Sequence, residues 1–183
     1  MTVELKKCRA LPENEWRLLS GLYVSAFPAE ERRDVEQLKN MIDTCCQMVF
    51  NEIIKDGELA GFQIYWDFGD FCYLEHFAVF EQMRGGGTGA AVLGILKEQL
   101  RKPLVLEVEP AEEGTMTARR VAFYERNGFG VLPVEYVQPD YHGNGDAMPL
   151  WIMSTETPPP DTAAKWVETI KREVYRKWLV ISG

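Results

Sequence analysis

Apolar and polar positions recur along this chain with two different periods, and the switches between them mark its elements. Val3 to Cys8 reads as a first strand. From Glu13 to Ala26, the residues Trp16, Leu19, Leu22, Tyr23 and Ala26 fall at helical spacing, and Pro28 ends that helix. Val35, Leu38, Met41 and Ile42 mark a second, shorter helix. Gln47 to Ile54 reads as a strand, Lys55-Asp56-Gly57-Glu58 as a tight Asp-Gly hairpin turn, and Leu59 to Trp66 as the returning strand. Asp67 to Asp70 make the next turn. Phe71 to Phe80 is apolar on both faces, as a central strand is. By alternation Glu75 shares a face with Tyr73, Phe77 and Val79, and His76 lies on the other.

The pattern then changes. Gly89 to Leu100 places Val92, Leu93, Leu96 and Leu100 on one helical stripe that Pro103 stops. Leu104 to Val108 is a strand. Thr117 to Arg126 is helical, closed by Asn127-Gly128. Phe129 to Val137 and Met148 to Ser154 read as strands joined by the polar loop Pro139 to Ala147. Past the prolines at 158–160, Ala163, Val167, Ile170, Val174 and Trp178 form a last amphipathic helix. Its other face carries Lys165, Lys171, Arg172, Arg176 and Lys177, a charged face best read as solvated, while its tryptophans leave a homodimer open. An antiparallel meander therefore leads into one strand–helix–strand crossover and then further strands. That order predicts a mixed α/β sheet.

Composition narrows the picture. With 183 residues, 46% of them hydrophobic, the chain suits a single domain over 1–183, with a short proline linker at 157–160 leading to a C-terminal helix over 161–180. A net charge of −8 argues against nucleic acid as a partner, because phosphate backbones demand a basic footprint. No run approaches the roughly 18 apolar residues of a membrane span, and the N-terminus has no apolar signal core. Cys8, Cys45, Cys46 and Cys72 lack C-x-x-C spacing and read as reduced and mostly buried. With only two histidines no metal site is expected, and a cytoplasmic location follows by default.

The candidate chemistry starts at Arg84-Gly85-Gly86-Gly87-Thr88-Gly89. A strand, a glycine-rich turn and a helix N-terminus make an anion cradle: backbone N–H groups without an intrahelical partner point outward, and the helix dipole favours negative charge. Glycines admit a pyrophosphate without Cβ clashes, and Arg84 adds a charged fork. No Lys-Ser or Lys-Thr follows Gly89, so this is not a P-loop. From the residues alone, a glycine turn that merely caps a helix stays open.

This loop resembles the R/Q-x-x-G-x-G/A loop of the GNAT superfamily of N-acetyltransferases. "RRVAFYERNGF", Arg119 to Phe129, resembles the family's Y-x-x-x-G-F segment, and the elements between come in the family's order. The close match covers residues 71 to 130, with a weaker fit to about 154. The resemblance implies a GNAT-type mixed, mostly antiparallel twisted sheet flanked by helices, with a C-terminal helix. It implies acetyl-CoA, or another acyl-CoA, as cosubstrate, no metal, and an acetyl group moved directly to a primary amine. The pyrophosphate would sit on Arg84, Gly85, Gly86, Gly87, Thr88 and Gly89, and the pantetheine arm along Phe77, Ala78 and Val79. Tyr124 matches the tyrosine near the CoA sulfur and is the candidate acid. The family's asparagine seven residues earlier is Thr117 here, and its alanine four residues earlier is Arg120.

Acyl transfer also needs a neutral amine, hence a base, and a donor for the oxyanion. Glu75 interrupts an apolar strand, where burial raises a carboxylate's pKa, and is the first candidate base; Glu107 is the second, and a mechanism with no protein base is the third. Glu30, Glu31, Asp140 and Tyr141 lie in loops placed to shape the site of the acceptor, a small-molecule or peptide amine, and the reading of these acids as solvated loop charges stays open. The other readings are a non-catalytic acyl-CoA-binding sensor and, from the single Arg-Gly-Gly, an RNA binder.

Overall fold

The computed structural model describes residues 1–143 and 148–179. The chain packs as two compact units, Met1–Lys102 and Pro103–Gly183.

In the first unit β1 (Val3–Cys8), β2 (Met48–Lys55), β3 (Glu58–Asp67) and β4 (Cys72–Val79) run antiparallel in the order β1-β2-β3-β4. Asp56 and Gly57 take φ of 51° and 87° at the β2–β3 turn, as the Asp-Gly signal predicts. Three helices pack on these strands: α1 (Glu13–Ala26), α2 (Val35–Thr44) and α3 (Thr88–Leu100). Helix α2 starts where Asp34 accepts the N–H groups of Glu36 and Gln37. Helix α1 buries Trp16, Leu19, Leu22 and Tyr23. At 25 cal per Å² each such side chain contributes about 1.5–3 kcal/mol, which outweighs the missing side-chain cap at Pro12. Strands β3 and β4 approach unusually closely at Gly61, where a Cβ would stand 2.1 Å from the Ala78 carbonyl oxygen.

The β3–β4 register decides the faces. Ile64 opposes His76, but Tyr65 opposes Leu74, so Glu75 is the extra residue of a β-bulge. Beyond it the alternation flips: Tyr73 opposes Trp66, and Trp66 shares a face with Ile64 and His76. The expectation that Glu75 and His76 point to opposite faces is therefore corrected. Glu75 Oε1 lies 3.9 Å from His76 Nδ1. Simple alternation fails because a bulge adds one residue to one strand only.

In the second unit β5 (Leu104–Val108), β9 (Trp151–Ser154) and β6 (Gly130–Val131) pair antiparallel, and α4 (Met116–Arg126) packs on β5. A separate two-stranded ribbon joins β7 (Val137–Gln138) to β8 (Met148–Pro149). Phe129 to Val137 is thus not one strand, and Met148 to Ser154 divides between two sheets. Pro133 and Pro149 supply no N–H to a ladder, which fits these breaks. Residues 144–147 of the expected loop lie outside the described residues. The last helix, α5 (Pro160–Ile170), opens with proline in its first turn. It then changes to a π-turn over Lys171–Tyr175 and a 3-10 turn over Arg176–Trp178, so the helix expected over 161–180 is not uniformly α. Part of its basic face is paired, Arg172 and Lys177 with Glu173 and Arg176 with Glu168. Each unit is thus a mostly antiparallel sheet with helices against it, and a helix closes the chain, as expected.

Candidate active site

The glycine loop follows β4 through a 3-10 turn, Glu81–Met83. Gly85, Gly86 and Gly87 take φ of 82°, 61° and 83°, three consecutive left-handed residues that no β-carbon-bearing run adopts cheaply. Helix α3 begins at once, with Ala91 N–H donating to the Gly87 carbonyl. The N–H groups of Gly85, Gly86, Gly87, Gly89 and Ala90 find no hydrogen-bond partner among the described residues. That is the arrangement an anion needs. Arg84 is exposed and donates Nε–H to the Val79 carbonyl at 3.1 Å. Thr88, expected to face the cofactor, is 2% exposed and donates its hydroxyl to Gly85 and Met83 carbonyls, so it shapes the loop from inside. Lys55 from the β2–β3 hairpin donates to the Met83 carbonyl at 3.0 Å; the sequence pattern singled out its hairpin but not this contact. Phe77 and Val79 are half-buried and Ala78 is buried.

Glu75 sits in a built pocket. Its Oε1 accepts Arg33 Nη2–H at 2.8 Å, its Oε2 accepts Trp66 Nε1–H at 2.6 Å, and the carboxylate and guanidinium side chains are 1% and 2% exposed. Arg33 also stacks over Trp66, with Cζ 5.6 Å from the ring centre. Its backbone N–H donates to the buried Tyr23 hydroxyl at 2.9 Å, and His76 Nε2–H donates to the Glu31 carbonyl at 3.1 Å. Burial lowers the His76 pKa and raises that of Tyr23, so both are neutral at pH 7. Glu75, Arg33, Tyr23 and His76 thereby tie the segment from Pro28 to Asp34 to the β4 bulge. Glu30 is exposed within that segment, and Glu31 is half-buried. Arg33 carried no motif; only a buried partner gives it a role.

In the second unit Glu107 on β5 accepts hydrogen bonds from Tyr136, Gln138 and Tyr175. The Tyr136 hydroxyl bonds Oε1, while Gln138 Nε2 and the Tyr175 hydroxyl each bond Oε2 at 2.8 Å. Burial, followed by the charge of Glu107, pushes the Tyr136 pKa far above the usual tyrosine range, so its hydroxyl stays a donor. The sequence pattern named Glu107 but none of these partners, which lie 29 to 68 residues away along the chain. Tyr141, expected to meet the acceptor, is buried with its ring 4.8 Å from that of Tyr175. Asp140 accepts the His142 N–H at 2.9 Å and so closes a local turn.

Tyr124 on α4 is flanked by the rings of Phe123 and Phe129 at 5.3 and 5.6 Å. Its hydroxyl makes no hydrogen bond among the described residues, and burial raises its pKa, so it is protonated at pH 7. Thr117 instead serves the start of α4: it accepts the Glu112 N–H at 3.1 Å and lies 2.7 Å from the Thr115 hydroxyl. Arg120 pairs with Glu109 at 2.9 Å. The face of α4 opposite Tyr124 lines an open groove of about 300 Å³ with Thr115, Ala118, Arg119, Ala122 and Arg126. No cluster of metal-ligating side chains occurs among the described residues.

Comparison with known proteins adds to this geometry. The model of the acetyltransferase (GNAT) family matches residues 13–129, well over half of the chain. A solved chain from Bacteroides thetaiotaomicron, provisionally named a GNAT-family acetyltransferase, is 34% identical. It covers 94% of this chain and 98% of its own, with a TM-score of 0.86. The curated Bacillus subtilis protein YjbC, also provisionally named an acetyltransferase, is 29% identical over 104 residues, 56% of this chain; the match spans 52% of YjbC itself. A solved aminoglycoside 6′-N-acetyltransferase in complex with coenzyme A shares the fold at 18% identity, covering 87% of this chain and 99% of its own, with a TM-score of 0.59.

Proposed function

The chain belongs to the GNAT acetyltransferase family, and from that premise we propose that it moves an acetyl group from acetyl-CoA directly to a primary amine. One observation carries the reading: three successive left-handed glycines present a row of unpartnered N–H groups at the start of α3, in the loop that matches the family. Arg84 to Gly89 would hold the pyrophosphate, and the backbone of Phe77 to Val79 would pair with the pantetheine arm. Thr88 supports this from within the loop rather than by contact.

Bound acetyl-CoA supplies an activated thioester. The acceptor nitrogen forms a bond to the acetyl carbon, the carbon–sulfur bond breaks, and Tyr124 gives its proton to the departing sulfur. The proton lost by the amine passes to Glu107 or to water. Glu107 is preferred over Glu75, since the Glu75 side chain is 1% exposed and committed to Arg33. Glu30, in the first unit, and Asp140, in the second, remain candidate charges for the acceptor, and Tyr141 packs on Tyr175.

The test is calorimetric titration with acetyl-CoA and with CoA, on the wild type and on Gly87→Glu, with circular dichroism confirming the fold of both. Saturable binding lost in the variant, followed by thiol release with primary amines, supports the reading. A folded wild type that binds neither compound overturns it. The commitment of Glu75 to an ion pair favours a second reading, an acyl-CoA sensor without turnover, which predicts binding but no thiol release with any amine.

A further inference from the structure

The family match ends at residue 129, and Tyr136, Gln138 and Tyr175, which donate to Glu107, lie beyond it. Tyr136, Gln138 and Tyr175 are 4%, 9% and 1% exposed, and Gln138 Nε2 also donates to the Tyr175 hydroxyl at 2.9 Å. A half-buried carboxylate that accepts hydrogen bonds from three buried donors is held in one orientation, and charge-assisted bonds of this kind are about twice as strong as neutral ones.

Tyr175 reaches this cluster through an irregularity. On an uninterrupted α-helix the stripe from Ala163 would continue to Val174 and then Trp178. The π-turn over Lys171–Tyr175 accommodates an extra residue, so Val174 and Tyr175 are both buried, at 0% and 1% exposure. Such turns sacrifice regular helix geometry and occur often where a side chain must be re-aimed for function. The Tyr175 ring is then braced by Tyr141 at 4.8 Å, and Lys171 from the same turn stands 5.2 Å over the Tyr136 ring.

We propose that Tyr175 is a positioning residue for Glu107: with Tyr136 and Gln138 it fixes that carboxylate, ionised before the transfer, as the negative charge that receives the acceptor's ammonium group ahead of any proton it takes. This rests on the acetyltransferase reading above. It makes the C-terminal segment, outside the family-matched region, part of the acceptor side of the reaction, and it points to a cationic amine as the acceptor class.

The experiment uses the full chain carrying carboxyl-¹³C glutamate, with the Glu107 resonance identified by its loss in Glu107→Gln. Tyr175→Phe removes the hydroxyl and keeps the ring. Three quantities are read in wild type and Tyr175→Phe: the pH midpoint of the Glu107 resonance, the calorimetric affinity for acetyl-CoA, and the response of that resonance to ethylammonium in CoA-saturated protein, with tetramethylammonium as control. The midpoint is expected to rise by about one pH unit in Tyr175→Phe, the worth of one hydrogen bond to a charged group. Affinity for acetyl-CoA stays unchanged. Ethylammonium shifts the wild-type resonance saturably, and about tenfold more is needed in the variant. An unmoved midpoint overturns the positioning role, and a wild-type resonance indifferent to ethylammonium overturns the ammonium role. Failure of the wild type to bind CoA overturns the acetyltransferase reading itself, while the midpoint still reports on Tyr175.

Discussion

Removing the charge of Arg33 tests how the loop before α2 is held. Arg33→Met keeps most of the side-chain volume over Trp66 and leaves the backbone N–H bonded to Tyr23, but it strands the Glu75 carboxylate at 1% exposure. Breaking a buried ion pair from one side costs about 3–5 kcal/mol, because the remaining charge loses its partner and stays out of water. Glu75→Gln keeps the shape and still accepts from Trp66, yet strands the guanidinium and should cost a similar amount. The double variant carries neither charge, so its loss should fall short of the sum of the two singles by about 2 kcal/mol or more. Guanidinium chloride unfolding at neutral pH measures all four proteins, and for a chain of this size each single variant should melt about 6–20 °C lower than wild type. Two single losses below about 1 kcal/mol, or strict additivity in the double variant, would refute the argument that this pair anchors the loop.

Further tests address other parts of the chain. Ellman's reagent should label Cys46 alone in the native protein: it is exposed, whereas Cys8, Cys45 and Cys72 are buried and burial pushes the thiols of Cys8 and Cys72 up to about 11 and about 12. Rapid native labelling that survives Cys46→Ser would contradict this. Gly61→Ala should destabilise by about 1–3 kcal/mol or more in denaturant titration, since the added Cβ would meet the Ala78 carbonyl oxygen at 2.1 Å; a neutral result would mean that the strands separate freely there. Burial lowers the His76 pKa below its ordinary 6.5, so the unfolded chain binds a proton that the folded state refuses. The stability associated with a neutral His76 is complete above about 6.5 and is lost as pH falls toward the folded value, so His76→Gln should flatten the decline between about pH 7 and pH 5. Parallel declines in the two proteins would count against it.

Much of the architecture was legible in local pattern. Helix α1 runs over Glu13–Ala26 as its apolar spacing indicates, the Asp56-Gly57 turn closes a hairpin, and Asn127-Gly128 ends α4. These features depend on residues within a few positions of one another, where steric preference and hydrophobic period act directly. The errors arose where period is broken by long-range pairing. The bulge at Glu75 inverts the faces on either side of it, the segment from Phe129 to Val137 splits between two sheets, and the π-turn brings Tyr175 inward beside Val174. No local signal announces a single inserted residue in a strand or a helix.

The candidate site divides along the same line. By itself the amino-acid sequence marked the glycine loop, because consecutive residues without a Cβ before an apolar helical stripe permit the left-handed turn that side chains would resist, and it determined the family to which the chain belongs. It also supplied Tyr124, Glu75 and Glu107 as chemically apt side chains. Only the tertiary structure decided which groups those carboxylates meet: Glu75 meets an arginine 42 residues away, and Glu107 meets hydroxyl and amide groups 29 to 68 residues away. A carboxylate's role follows from what surrounds it when water is excluded, and those surroundings exist only once distant segments pack together.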